Sequence, residues 1–420
     1  MSSKDSASGI PHYTVLGAGI VGIASALEPR RAGFGVTLLD RDEPGQGASS
    51  GNAGFIQTGT PIPLGTPEIL RELPKLLFDP KSPLSIRWRH LPSLTPFLLR
   101  VLANSRSSRV EKIAGNIQAL LDRSGEAHRA MLRESGGGDL FRARGLMFVY
   151  PSEASFKHAQ WEIELFKRQG VEIEPLFDGA VRQMEPALAP EYRWANHFPD
   201  TFYTVDPLAL AQTYAARFSA LGGEIVRDAV RDIEMGPDGP SALLCESGRR
   251  PIDRLVLAAG AFSKPFAKRL GMSVPLQTGR GYHLMLPEPG VRLQAPIVDG
   301  EKHFGITPMS GGVRLAGTME FASLDAPPND ARADMLLAMA QKIIPGLDGS
   351  NGERWMGDRP MMPDALPVIG RAPAHEHVLL AFGHGMLGLT MAAATGEIIA
   401  QLARGESPDI DLTPYRPDRF

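Results

Sequence analysis

Apolar positions along this chain fall into two patterns. Short, nearly unbroken runs at 14–16, 36–39 and 255–259 read as strands buried on both faces. Runs at 282–286, 303–307 and 313–317 alternate, which suits antiparallel strands with one covered face. Longer stretches at 20–27, 110–135, 156–170 and 207–222 carry helical spacing. Strands are also predicted at 145–150 and 224–226, and residues 61–105, rich in Pro, Leu and Arg, read as short amphipathic helices. Pro29 should kink or shorten the first helix, because it removes a backbone hydrogen bond. Residues 378–396 hold no Asp, Glu, Lys or Arg and approach the ~20 residues of a membrane span. Gly383, Gly385 and Gly388 interrupt them, so the better parse is a strand at 378–382, a glycine turn, and a buried helix from about 389 to 403.

The first run leads into Gly17-Ala18-Gly19-Ile20-Val21-Gly22, and the second ends on Asp40, which lies 40 − 22 = 18 residues past the last glycine. Strand, glycine turn, helix and acidic strand end form the context that a dinucleotide site needs. The turn and helix start receive a pyrophosphate, and a carboxylate ~20 residues on holds a ribose hydroxyl. Arg41 follows, and then the loop 45–54, in which Ala48, Ser49, Gly51, Asn52, Ala53 and Gly54 are all small. An NAD enzyme should pass soon into a third apolar strand. A loop of small residues leading back toward the ligand suits a longer cofactor, FAD. Gly47-Ala48-Ser49-Ser50-Gly51 also fits a hydrolase nucleophile pattern, but no strand precedes it, so that reading is discarded.

Composition narrows the class without naming a substrate. The chain has 420 residues, 43% hydrophobic and 22% charged, enough for two soluble domains. A net charge of −3 gives no sign of nucleic-acid binding. The single cysteine, Cys245, cannot form a disulfide within the chain and lies in an apolar stretch, so it reads as core filler. The polar first eleven residues hold no apolar signal-peptide region, and a cytoplasmic location is expected. His375 and His377 flank Glu376 without an evident third ligand, so no metal is predicted.

Several motifs in order resemble the FAD-dependent D-amino-acid oxidase and dehydrogenase superfamily, most closely its bacterial D-amino-acid dehydrogenases. They are Gly17 to Gly22 with Asp40, Gly51-Asn52-Ala53-Gly54, 256–260, Gly279-Arg280-Gly281-Tyr282-His283, Gly357-Asp358-Arg359-Pro360, 363–370 and 383–390. The resemblance implies an α/β fold: a Rossmann-like FAD-binding domain from 1–58, 200–275 and 355–420. A substrate domain of mainly antiparallel sheet with flanking helices is implied from 59–199 and 276–354. It implies that Arg359 grips a substrate carboxylate, as a guanidinium fork is shaped to do. It places Val230, Ala259 and Gly260 beside the cofactor. Gly383, Gly385, Leu387, Gly388, Leu389 and Thr390 hold its flavin end, with His384 among them.

Tyr282 and His283 alternate on one strand, so one of them faces the site, and Tyr282 is favoured as the substrate-side residue. His303, on a neighbouring predicted strand, is a candidate for contact with the substrate side chain. The implied reaction is oxidation of a free amino or imino acid at its α-carbon by non-covalently held FAD, since no cysteine adjoins a flavin motif. The C-terminal 414–420 resembles relatives acting on hydroxyproline-type D-imino acids. Alternatives within the same motifs are a sarcosine-, glycine- or opine-type oxidase; outside them, a non-catalytic flavin-holding subunit. The electron acceptor (O2, a quinone or another carrier) is left open. Leucines mixed with Arg71, Lys75, Arg87, Arg89 and Arg100 would suit peripheral contact with the inner face of the plasma membrane.

Overall fold

A computed structural model describes residues 10–71 and 82–420. The first eleven residues, read above for a signal, fall largely outside the described residues, and so does Lys75. A six-stranded sheet runs in the order Glu224–Arg227, Gly35–Asp40, His12–Leu16, Arg254–Leu257, His375–Phe382, Val368–Ala372. Its first five strands are parallel and the last is antiparallel. Both faces are covered, which explains the unbroken apolar runs. Val15, Leu38, Val256 and Leu379 pack on the helices Ile20–Arg31, Pro207–Ala220 and Gly388–Ala403. Leu16, Leu39, Leu257 and Leu380 face the small sheet of 230–251 and the helix Ser263–Arg269.

The helix Ile20–Arg31 continues through Pro29, and Ala32 N–H still bonds Glu28 O at 3.0 Å. Proline lies close enough to the helix end that only one carbonyl, that of Ser25, loses its donor. The expected shortening does not occur. At its centre this helix crosses Gly388–Ala403 closely: a Cβ at Gly396 would stand 2.6 Å from Ala24 O.

The second sheet has nine strands and is mostly antiparallel. Its path is Glu353–Met361, Gln277–Leu286, Gly312–Phe321, Gly305–Met309, Ile297–Asp299, Leu146–Tyr150, Trp194–Phe198, Glu174–Phe177, with Leu84–Ile86 paired to Gly312–Phe321. The strand Glu353–Met361 crosses the division drawn at 355 and pairs along its length with Gln277–Leu286, so Arg359 belongs to this sheet. The helix Ala331–Ile343 covers one face through Leu336, Met339 and Ala340 against Leu284 and Leu315. The long helix Ser107–Ser135 ends on Gly136 in the left-handed region (φ 75°), as the triple glycine predicts. The single helix expected over 156–170 is instead two, Glu153–His158 and Gln160–Arg168, and the first starts early because Ser152 and Ser155 cap it in a reciprocal box.

Candidate active site

Between the two sheets lies a cavity of about 1020 Å³. One wall is the glycine turn. Gly17 has φ 110°, and a Cβ there would stand 2.4 Å from Ala258 O; at Gly22 it would stand 1.8 Å from Gly17 O. No side chain fits either position, which is how helix and strand approach so closely. Asp40 accepts from Ala18 N–H (2.6 Å) and Asp42 N–H (3.0 Å), so it holds the turn as well as lining the cavity. Ser49 Oγ accepts from Ile20 N–H at 2.9 Å, serving one of the helix donors that has no partner within the helix.

The loop of small residues forms a second wall, and the other sheet anchors it. Arg314 Nη1 donates to Ser50 O (3.0 Å) and Asn52 O (2.6 Å). His283 Nδ1 donates to Gly51 O (3.0 Å) while its ring stacks on Trp355 at 4.9 Å and 11°. Gly51 is obligatory here, since its Cβ would stand 2.2 Å from Trp355. Sequence reading missed Arg314 and Trp355: an arginine on an alternating strand looks like any solvated charge. Val230, Ala259 and Gly260 line a third side, where the Arg41 guanidinium lies 4.3 Å over the Phe262 ring.

The C-terminal glycine turn closes the cavity. Gly383 and Gly385 adopt φ 81° and 55°, and Gly385 N–H donates to Pro360 O at 3.0 Å, coupling this turn to the Arg359 strand. Thr395 Oγ1 donates to Met391 O (2.8 Å), so it receives the Nε2 proton of His384 (3.0 Å). His384 therefore keeps Nδ1 bare, and burial holds its pKa down to about 3. His128 Nε2 donates to Leu389 O (2.8 Å), fixing the first turn of the helix Gly388–Ala403. The unpaired N–H groups of that first turn stand at the cavity wall, where Gly388, Leu389 and Thr390 line it.

Arg359 supplies the charge. Its guanidinium lies across Gly281, where a Cβ would stand 2.3 Å from the guanidinium carbon. It makes a single long hydrogen bond, 3.5 Å to Thr318 O. The neighbouring carboxylates are engaged elsewhere: Asp358 lies 3.4 Å from Arg280, and Arg419 holds Asp364 at 2.7 Å. Arg359 thus has no carboxylate partner among the described residues, and burial lowers its pKa to about 10. A half-buried cation without a counter-ion among the described residues is costly, and an anionic ligand would relieve that cost.

All but three of the nominated residues line the one cavity. Gly22 and Gly54 act behind the wall: Gly54 (φ 85°) would place a Cβ 2.6 Å from Thr204 O. Tyr282 is the correction. Its hydroxyl donates to Glu320 (2.7 Å) and accepts from Asn329 N–H (3.1 Å), outside the cavity lining. Gly281 and His283 point to the cofactor-loop side instead, so strand alternation sends Tyr282 to the opposite face. His303 lines the cavity from a turn (φ 53°) before the strand Gly305–Met309, rather than from within a strand. Leu99 and Leu102, on the cavity wall, are exposed, as is Trp88, and no helix among the described residues is long and apolar enough to cross a membrane.

A mostly parallel sheet with two glycine turns facing one cavity suits a dinucleotide cofactor, and the turn at 17–20 with Asp40 on the cavity wall fits FAD. The chain belongs to the family of FAD dependent oxidoreductases named DAO, which matches residues 12–402. It is 37% identical to a D-amino-acid oxidase of Bradyrhizobium diazoefficiens, over 97% of this chain and 99% of that protein. It is 32% identical to a D-amino acid dehydrogenase of Paramagnetospirillum magneticum, over 97% and 98%. Its fold matches L-proline dehydrogenase from P. horikoshii with a TM-score of 0.74 at 19% identity, covering 98% of each chain. Glycine oxidase from Bacillus cereus matches with a TM-score of 0.71 at 16% identity, over 98% and 99%.

Proposed function

We propose that this protein oxidises a free amino or imino acid, D-configured, at its α-carbon, yielding an imine; from an open-chain amino acid, water hydrolyses it to a keto acid and ammonia. The observation that carries the reading is Arg359, a half-buried guanidinium on the cavity wall with no carboxylate partner among the described residues. FAD, held without a covalent bond, supplies the two-electron oxidising capacity when bound. The chain's own residues position rather than react. Arg359 would take the substrate carboxylate through two parallel hydrogen bonds, which fixes the α-carbon for hydride loss. His384, held neutral, adds no competing positive charge beside it. The N–H groups at 388–390 offer partial positive charge where the reduced cofactor carries negative charge. The two curated relatives, both named for D-amino acids, support the configuration.

The test is anaerobic bleaching of the yellow protein by D- and L-amino acids, compared with Arg359→Ala. Reduction by an amino acid in the native protein, lost or strongly weakened in the variant with its flavin retained, is the expected result. Equal reduction in both would place the carboxylate anchor elsewhere. Acid precipitation should release the flavin into the supernatant; colour staying with the pellet would contradict non-covalent binding.

A further inference from the structure

Glu162 is a buried acid that the reading above does not use. It sits on the helix Gln160–Arg168, 3% exposed, beside the apolar cluster of Phe148, Ile163, Phe166 and Val298. Neither carboxyl oxygen has a hydrogen bond to another described residue, although the residue lines the same cavity as Arg359. Burial pushes its pKa up, and the one charge pulling it down is that of His303, also on the cavity wall. The nearby Tyr150 hydroxyl accepts from Asn196 Nδ2 at 3.2 Å.

The sheet shows how this acid relates to the anchor. Arg359 reaches over to Thr318 O, and the adjoining Gly317 abuts His303 and Phe304, its Cβ position lying 3.2 Å from His303 O. From that strand the order continues through Gly305–Met309 and Ile297–Asp299 to Leu146–Tyr150. Gly317, Gly305, Val298 and Phe148, one residue per strand, all line the cavity. From Thr318, where the Arg359 guanidinium ends, the floor crosses three strand spacings of about 4.8 Å each to Phe148, and His303 and Glu162 line the same cavity. The cavity wall here is apolar at Val298 and Phe148 and polar at Lys302 and His303, and Glu162 has no hydrogen-bond partner among the described residues.

We infer that Glu162 forms the far end of the substrate site and selects amino acids whose long side chain ends in a cation, as in lysine or arginine. The inference rests on the amino-acid reading of Arg359. A cation there would give the buried carboxylate the partner it lacks, and a short side chain would not reach it. The experiment compares kcat/KM for arginine, lysine, norleucine and glutamate, in the configuration that reduces the flavin, using the flavin-loaded protein and Glu162→Gln. The native protein should favour arginine or lysine over norleucine by about thirtyfold, with glutamate poorest, since losing one partner of a buried charge pair costs that much or more. In Glu162→Gln the ratio should collapse to near parity. Equal use of norleucine and the basic amino acids by the native protein would overturn the inference without any variant, as would a preference for glutamate. A preference surviving in Glu162→Gln would do the same. If norleucine bleaches the flavin in an Arg359-dependent way but basic side chains gain nothing, only this inference falls. If no amino acid of either configuration bleaches it, the amino-acid reading falls and takes this one with it.

Discussion

A guanidinium laid across a glycine, with one 3.5 Å hydrogen bond, is held by shape rather than by a partner. Arg359→Lys should therefore preserve charge but lose the planar fork, weakening the reductive step by about 2–4 kcal/mol in kred/Kd while the flavin spectrum stays normal. Rapid-mixing measurements of flavin reduction against substrate concentration check this. Gly281 is the complement, because any side chain there would displace the guanidinium. Gly22 is stricter still. With a Cβ 1.8 Å from Gly17 O, even Gly22→Ala must open the turn, and the purified variant should carry little flavin by absorbance.

At the level of elements, the cofactor loop is positioned by the opposing sheet. Arg314 spans to the carbonyls of Ser50 and Asn52, and His283 and Trp355 support Gly51 between them. Arg314→Met keeps an unbranched apolar stem and removes both hydrogen bonds. Each lost charged hydrogen bond is worth about 1.5–3 kcal/mol, so FAD affinity measured by titration of apoprotein should fall by at least one such step. Ser49→Ala removes the acceptor for Ile20 N–H and should cost about 0.5–2 kcal/mol of stability, as lost helix caps do. Native thermal melts against that variant decide the second case.

Across the whole molecule, His128, His283 and His384 are buried near the boundary between the two sheets, with pKa values pushed down to about 4, 3 and 3. In the unfolded chain each titrates near 6.5. Below that pH the unfolded state binds protons that the folded state refuses, so each histidine's contribution to stability is lost as pH falls from about 6.5 toward 4. The slope is about 1.4 kcal/mol per pH unit for each group. Glu28, Glu162 and Glu397, pushed up by burial, act in the opposite sense, so a difference measurement is needed. Melting native protein and His128→Gln across about pH 7 to pH 4.5 should show a shallower acid loss in the variant. Parallel curves would mean that His128 takes up a proton in the fold as readily as in the unfolded chain.

What the sequence determined alone was local and periodic. The glycine turn with Asp40, the helix after residue 388 and the buried parallel runs are dictated by steric need for glycine and by apolar spacing, and both can be read from neighbours in the chain. Arg359 was legible only through its surrounding motif, since an isolated arginine carries no such message. Tertiary structure decided which face each strand residue shows. It sent Tyr282 to Glu320 and brought His283 to Gly51, 232 positions away. It also freed Arg359 by giving Asp358 and Asp364 to other arginines, and it left Glu162 without a hydrogen-bond partner among the described residues. Those outcomes depend on strand pairing between residues far apart in the chain, and burial, which sets both the charge states and the cost of a missing partner, exists only once those strands have paired.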